Sequence, residues 1–197
     1  MGEVTTGERL AKALMVAIRV HADQRDKQGE PYLLHVLRVV EAVGSERAKV
    51  LAALHDVWEN GGASALDPED LFTVEEGMFI ANSLEVLTRS DSETYAEYIE
   101  GIRDGHSSTW VAEIREVKLA DLRDNLERIP PEPPKLLSNP LSAKTYGEWK
   151  ADWQPLKARY EKAIAVLTDA GFPSERIHVA GDEPVPDPIS QTKRGER

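Results

Sequence analysis

Residues 45–62 read "SERAKVLAALHDVWENGG", and the fold class turns on this stretch. Leu51, Leu54 and Trp58 recur at helical spacing, Ser45 suits an N-cap, and Gly61-Gly62 suits a stop. The spacing therefore predicts one helix from about Glu46 to Asn60. On it His55, Asp56, Glu59 and Asn60 lie three and four residues apart and form one polar patch. Such a patch, directly after the apolar "VLAAL" of residues 50–54, is costly to bury without partners. Taken alone it reads more often as a solvated face or a hydrogen-bonded core histidine than as a ligand set.

Outward from this stretch the chain continues helix after helix. "GERLAKALMVAIRVHA" (7–22) carries Leu10, Leu14 and Ala17-Ile18 at helical spacing. Pro31 opens "PYLLHVLRVVEAVG" (31–44) at a first helical position, and Gly44 closes it. Thr73 is the expected cap of "TVEEGMFIANSLEVLT" (73–88), and residues 92–103 and 109–129 extend the pattern. No run alternates with period two over a strand length, so we expect an all-α, compact multi-helix bundle. Residues 1–172 make one domain, crossed between residues 129 and 142 by a segment with five prolines. Residues 173–197, rich in proline and charge, read as a flexible tail.

Composition narrows the function. The net charge of -11 argues against a general nucleic-acid binder, which needs a basic face. An anionic substrate then requires a local cluster of bases or a metal. With no cysteine, any metal must be held by histidine and carboxylate. No apolar run approaches the roughly 20 residues that span a bilayer, and no secretory signal is visible, so a cytoplasmic protein is expected. Oligomeric state is not legible.

Three segments supply candidate chemistry. "RDKQGEPYLLH" (25–35) puts His35 four residues after Pro31. "LAALHDVWEN" (51–60) holds the polar patch, and "VKLADLRDN" (117–125) lines up Lys118, Asp121 and Asn125 in steps of three and four. His35, His55, Asp56 and Asp121 thus offer four potential ligands from three separate helices, which a bundle core can gather around one cation. Histidine and carboxylate suit manganese, iron, cobalt or zinc, and residue type alone does not choose among them.

In this order the three segments resemble the HD phosphohydrolase superfamily, and within it the RelA/SpoT-type alarmone hydrolase branch. The resemblance runs from about residue 19 to residue 125, roughly half the chain. It implies an HD-domain bundle with a metal, usually manganese, in its core, held by His35, His55, Asp56 and Asp121. It further implies Glu59 as the acid that orients a water or exchanges protons with it. The implied reaction removes the 3′-pyrophosphate of guanosine tetra- or pentaphosphate (ppGpp or pppGpp), leaving GDP or GTP, in a hydrolase-only chain with no room for a synthetase domain.

Arg25 and Lys27 match the basic pair that lies over the nucleotide in that family, and Asn125 matches a ribose contact. Lys118 could reach phosphate, and Tyr160 could stack on the base, although core packing also explains it. Arg89 and residues 92–99 could add phosphate or ribose contacts, while His21 reads as a structural residue or a support to the ligands. The chain departs from the family at Asn60, where alarmone hydrolases usually carry aspartate. An amide keeps the shape and one acceptor oxygen but cannot act as a base. Two other readings arise from it: an HD hydrolase of another nucleotide (a dNTP, a nucleoside monophosphate or an NADPH-type dinucleotide), or a catalytically weak nucleotide-binding regulator.

Overall fold

The computed structural model of the 197-residue chain describes residues 6–26, 28–62, 66, 73–104, 111–129 and 146–169. Eight helices lie among them: α1 (Thr6–His21), α2 (Leu33–Ala42), α3 (Glu46–Leu54), α4 (Val57–Gly61), α5 (Val74–Leu87), α6 (Tyr95–Asp104), α7 (Val111–Glu127) and α8 (Tyr146–Thr168). No strand occurs among the described residues; the sole ladder contact there is an antiparallel bridge between Arg25 and Pro31. The all-α expectation holds. The proline-rich crossing beyond Ile129, the tail and Lys27 lie outside the described residues.

The bundle is organised around α3. Val50, Leu51, Ala52, Ala53 and Leu54 are all buried, so the second half of this helix is enclosed on every side rather than on one stripe. Leu51 and Ala52 pack with Val39 of α2, Ile99 and Ile102 of α6, Val117 and Leu122 of α7, and Leu156 of α8. Val50, Ala53 and Leu54 face the other way, against Ala13 and Val16 of α1 and Ile80 and Leu84 of α5. Burying a leucine such as Leu51 fully contributes about 1.5–3 kcal/mol. His55 comes directly after Leu54, so the enclosure of α3 carries this polar side chain into the interior as well.

Local chemistry fixes the ends. Ser45 caps α3 by accepting the Ala48 N–H at 3.1 Å. Thr73 and Glu76 form a full capping box at α5. Two boundaries differ from expectation. The helix expected over residues 46–60 breaks at His55-Asp56: Asp56 sits at φ -106°, ψ 4°, the sparsely populated region between helix and extended chain. The imidazole of His55 donates from Nδ1 to the Ala52 carbonyl at 2.8 Å, a side-chain bond in place of a smooth backbone continuation. Pro31, expected as the first helical residue of α2, instead pairs with Arg25, and the helix begins at Leu33.

The α1–α2 connection is a small hairpin. Asp26 accepts the backbone N–H groups of Gln28 and Glu30 at 2.8 and 2.9 Å, and the turn needs the positive φ of Gly29 (84°), a conformation that suits glycine. Arg128, just past α7, grips this hairpin through Asp26, Gln28 and Glu30.

Candidate metal centre

Three elements converge where α3 ends. His35 is the third residue of α2, His55 and Asp56 form the turn between α3 and α4, and Asp121 lies in the middle of α7. The Nε2 atoms of His35 and His55 are 3.3 Å apart. An Asp121 carboxylate oxygen lies 3.4 Å from His35 Nε2 and 4.0 Å from His55 Nε2. An Asp56 oxygen lies 3.0 Å from His55 Nε2 and 3.8 Å from His35 Nε2. One donor atom each from His35, His55 and Asp121 falls within 4.8 Å of the others, and all three residues are buried.

The opposite sides of the two rings settle their tautomers. His55 Nδ1 faces the Ala52 carbonyl, which only accepts. His35 Nδ1 lies 2.7 Å from Asp124, whose other oxygen is held by the Arg38 guanidinium. Both Nδ1 atoms therefore carry protons, and in its neutral form each ring aims a lone pair from Nε2 into the same space. Two such lone pairs at 3.3 Å, with carboxylates beside them, repel unless a proton or a metal cation lies between. Ligand bonds of about 2.1 Å give neighbouring donors a spacing of roughly 3.0–3.5 Å, so the residues present fit a single divalent cation.

The electrostatics agree. Burial works against charge on every group here, but the fields of the neighbours outweigh it. Asp56 is held well below the usual carboxylate range by His55 first and by His35 and the Tyr32 hydroxyl after it. Asp121 is depressed chiefly by the Lys118 ammonium, which donates to it at 2.8 Å. Against the burial penalty, Asp121 and Asp124 push His35 up to about 9, and Asp56 raises His55. The pocket favours positive charge at the Nε2 positions.

The remaining expected residues spread around this core. Lys118 and Asn125 both reach Asp121, at 2.8 and 2.5 Å, and the Lys118 ammonium also lies 5.1 Å from the Tyr98 ring centre. Glu59 is exposed one turn beyond His55, close enough for its charge to act on Tyr98. Asn60 donates to the Asp56 carbonyl and accepts from Gln24. The Arg25 guanidinium donates to the Gly29 carbonyl of its own hairpin, and Arg89 donates to the Glu93 carbonyl. Tyr160 is 6% exposed and packs in the core with Leu156 and Ala163.

Tyr98 lies within residues 92–99, which the sequence offers as phosphate or ribose contacts, but four supporting residues have no role in the reading of the sequence: Gln24, Tyr32, Arg38 and Asp124. A signal exists for two of them. Arg38 lies three residues after His35 and Asp124 three after Asp121, so each shares a helix face with a ligand candidate.

No protein-family model matches the chain. Among curated proteins it is similar to a probable guanosine-3′,5′-bis(diphosphate) 3′-pyrophosphohydrolase of Synechocystis sp., 28% identical over 164 residues. That match takes in 74% of this chain but only 21% of the relative's length. Among solved structures it is similar to a metazoan ortholog of SpoT, described as hydrolysing ppGpp and acting in starvation responses. There the TM-score is 0.50 at 21% identity, covering 79% of this chain and 85% of the other. This likeness shows the fold, an all-α bundle, and the descriptions of both relatives agree with the resemblance of the three motifs.

Proposed function

We propose that this chain is a metal-dependent phosphohydrolase that removes the 3′-pyrophosphate of ppGpp or pppGpp, giving GDP or GTP and pyrophosphate. The observation that carries the reading is the pair of Nε2 atoms 3.3 Å apart among two ionised carboxylates, with both Nδ1 protons committed elsewhere. Such a set would hold one divalent cation. The similarity to a pyrophosphohydrolase of this nucleotide supports the choice of substrate.

In this reading His35, His55, Asp56 and Asp121 hold the cation, and manganese is our assignment among the metals that nitrogen and oxygen donors suit. When bound, the cation supplies the Lewis acidity that makes a water nucleophilic near neutral pH. Glu59 orients that water and takes its proton. A new bond forms from the water oxygen to the phosphorus next to the ribose. The bond from that phosphorus to the 3′ oxygen breaks, and the oxygen leaves as a hydroxyl with the proton. Lys118, Arg25 and Lys27 meet the phosphates, Asn125 the ribose, and Tyr160 acts from the core rather than by stacking. We take residues 1–172 as the catalytic domain and place its work in the cytoplasm. No described helix is long and apolar enough to cross a membrane.

The test is direct. Purified protein with Mn²⁺ releases pyrophosphate from ppGpp, and either a chelator or Asp121→Ala abolishes release. Turnover of a different nucleotide in a parallel panel, with none of ppGpp, would move the assignment to that substrate. Asn60, a non-acid in the turn that carries Glu59, favours one further reading, a weakly catalytic nucleotide binder. Tight ppGpp binding without turnover would select it.

A further inference from the structure

We propose that Asn60 is a positioning residue: with Gln24 it forms a matched pair of amides that holds the peptide of Asp56, and through it the Asp56 carboxylate, in place. The inference rests on the metal-centre reading and deepens it.

The direction of every bond in this relay is fixed from one end. The Asp56 carbonyl can only accept, so the nitrogen of the Asn60 amide faces it, at 3.0 Å. The Asn60 oxygen is then the acceptor for the Gln24 amide nitrogen, at 2.8 Å. That leaves the Gln24 oxygen for Nδ1 of His21, at 2.6 Å, so this ring carries its proton on Nδ1. His21 is 1% exposed, and burial holds its pKa below the ordinary value, which keeps the ring neutral. Its centre lies 5.1 Å from the ring of Tyr32, whose hydroxyl donates to the Asp56 carboxylate. Asp56 is gripped twice, at its carbonyl through Asn60 and at its carboxylate through Tyr32, and both grips lead back to His21.

Aspartate at position 60 does not fit this relay. It offers two acceptor oxygens and no donor. One could still accept from Gln24, but the other would set a negative oxygen against the Asp56 carbonyl, within a few ångströms of an ionised carboxylate. Both polar atoms of the Asn60 side chain are engaged in the relay, so Asn60 acts through Asp56 and carries no proton. Glu59 is then the one acid that this turn offers to the water.

Three readings test the proposal: thermal stability of the metal-free protein, Mn²⁺ affinity from the electron paramagnetic resonance of free Mn²⁺, and ppGpp turnover split into kcat and KM. Asn60→Asp is expected to weaken Mn²⁺ binding roughly 10–100-fold and to lower kcat with KM little changed. Gln24→Ala and Asn60→Asp together should cost no more stability than the worse single change, because they remove one relay. A rise in kcat in Asn60→Asp, or unchanged Mn²⁺ affinity, would overturn the proposal. Should Asn60→Asp not fold, Gln24→Glu, which cannot donate to the Asn60 oxygen, gives the same readings. A wild-type chain that binds Mn²⁺ but turns over no alarmone defeats the substrate assignment. The affinity and stability readings still decide the role of Asn60.

Discussion

His35 and Asp124 are joined at 2.7 Å across the α2–α7 interface, and the same carboxylate pairs with Arg38, one turn along α2 from His35. This carboxylate turns the His35 ring and keeps its Nε2 facing the ligand cluster. Outer partners of this kind raise ligand basicity and fix ring orientation. Asp124→Asn should therefore weaken Mn²⁺ binding roughly 10–100-fold while leaving the helical circular dichroism unchanged. Equal affinity in the variant would remove Asp124 from the metal centre.

The same contact sets a pH dependence. His35 titrates at about 9 in the folded metal-free protein and near 6.5 when unfolded. A pKa raised by folding stabilises fully below the unfolded value, and that contribution is lost as pH rises through the folded one. The melting temperature of the metal-free protein should fall between about pH 6.5 and 9 on this account. Because metal must displace the His35 proton, Mn²⁺ affinity should rise over the same window. Calorimetry in buffers of different ionisation enthalpy would show proton release at about pH 7.5.

Lys118 bonds Asp121 at 2.8 Å, with both side chains largely shielded from water. Removing the ammonium in Lys118→Met leaves the carboxylate without its main counter-charge in α7. We expect a stability loss of about 1.5–3 kcal/mol at pH 7 by urea unfolding of the metal-free protein, as for a hydrogen bond to a charged group. Saturating Mn²⁺ should recover part of it.

Arg128 anchors the hairpin of residues 25–31 at the end of α7. Releasing it should leave the ligand cluster intact but loosen the loop that bears Arg25. Arg128→Ala is therefore expected to raise KM for ppGpp about three- to tenfold, equivalent to roughly 0.7–1.4 kcal/mol, with Mn²⁺ affinity unaltered. An altered affinity with unchanged KM would assign the anchor to the metal centre instead.

How much was legible in the sequence depends on the range of the interactions involved. The apolar period and the Ser45 and Thr73 caps are local, and the helices they announce are present. The stripe of Lys118, Asp121 and Asn125 is also local, and in α7 both flanking residues do bond the aspartate. The break at His55-Asp56 was not legible, since it reflects a side-chain bond to Ala52 and a tertiary site that the period cannot encode. Nor were Gln24 and Tyr32, whose partners Asn60 and Asp56 lie on a different element. Position 60 could be seen to be unusual, but only the two partners of its amide say what it does.

The site draws on α2, on the turn after α3, and on α7, segments far apart along a chain that has no cysteine. A cation bound there would tie residue 35 to residue 121 and close a long loop, as a disulfide does in other small domains. The unfolded ensemble would lose the same kind of freedom. Chelation would then do more than stop turnover: it would release the cross-link between α2, the turn after α3, and α7.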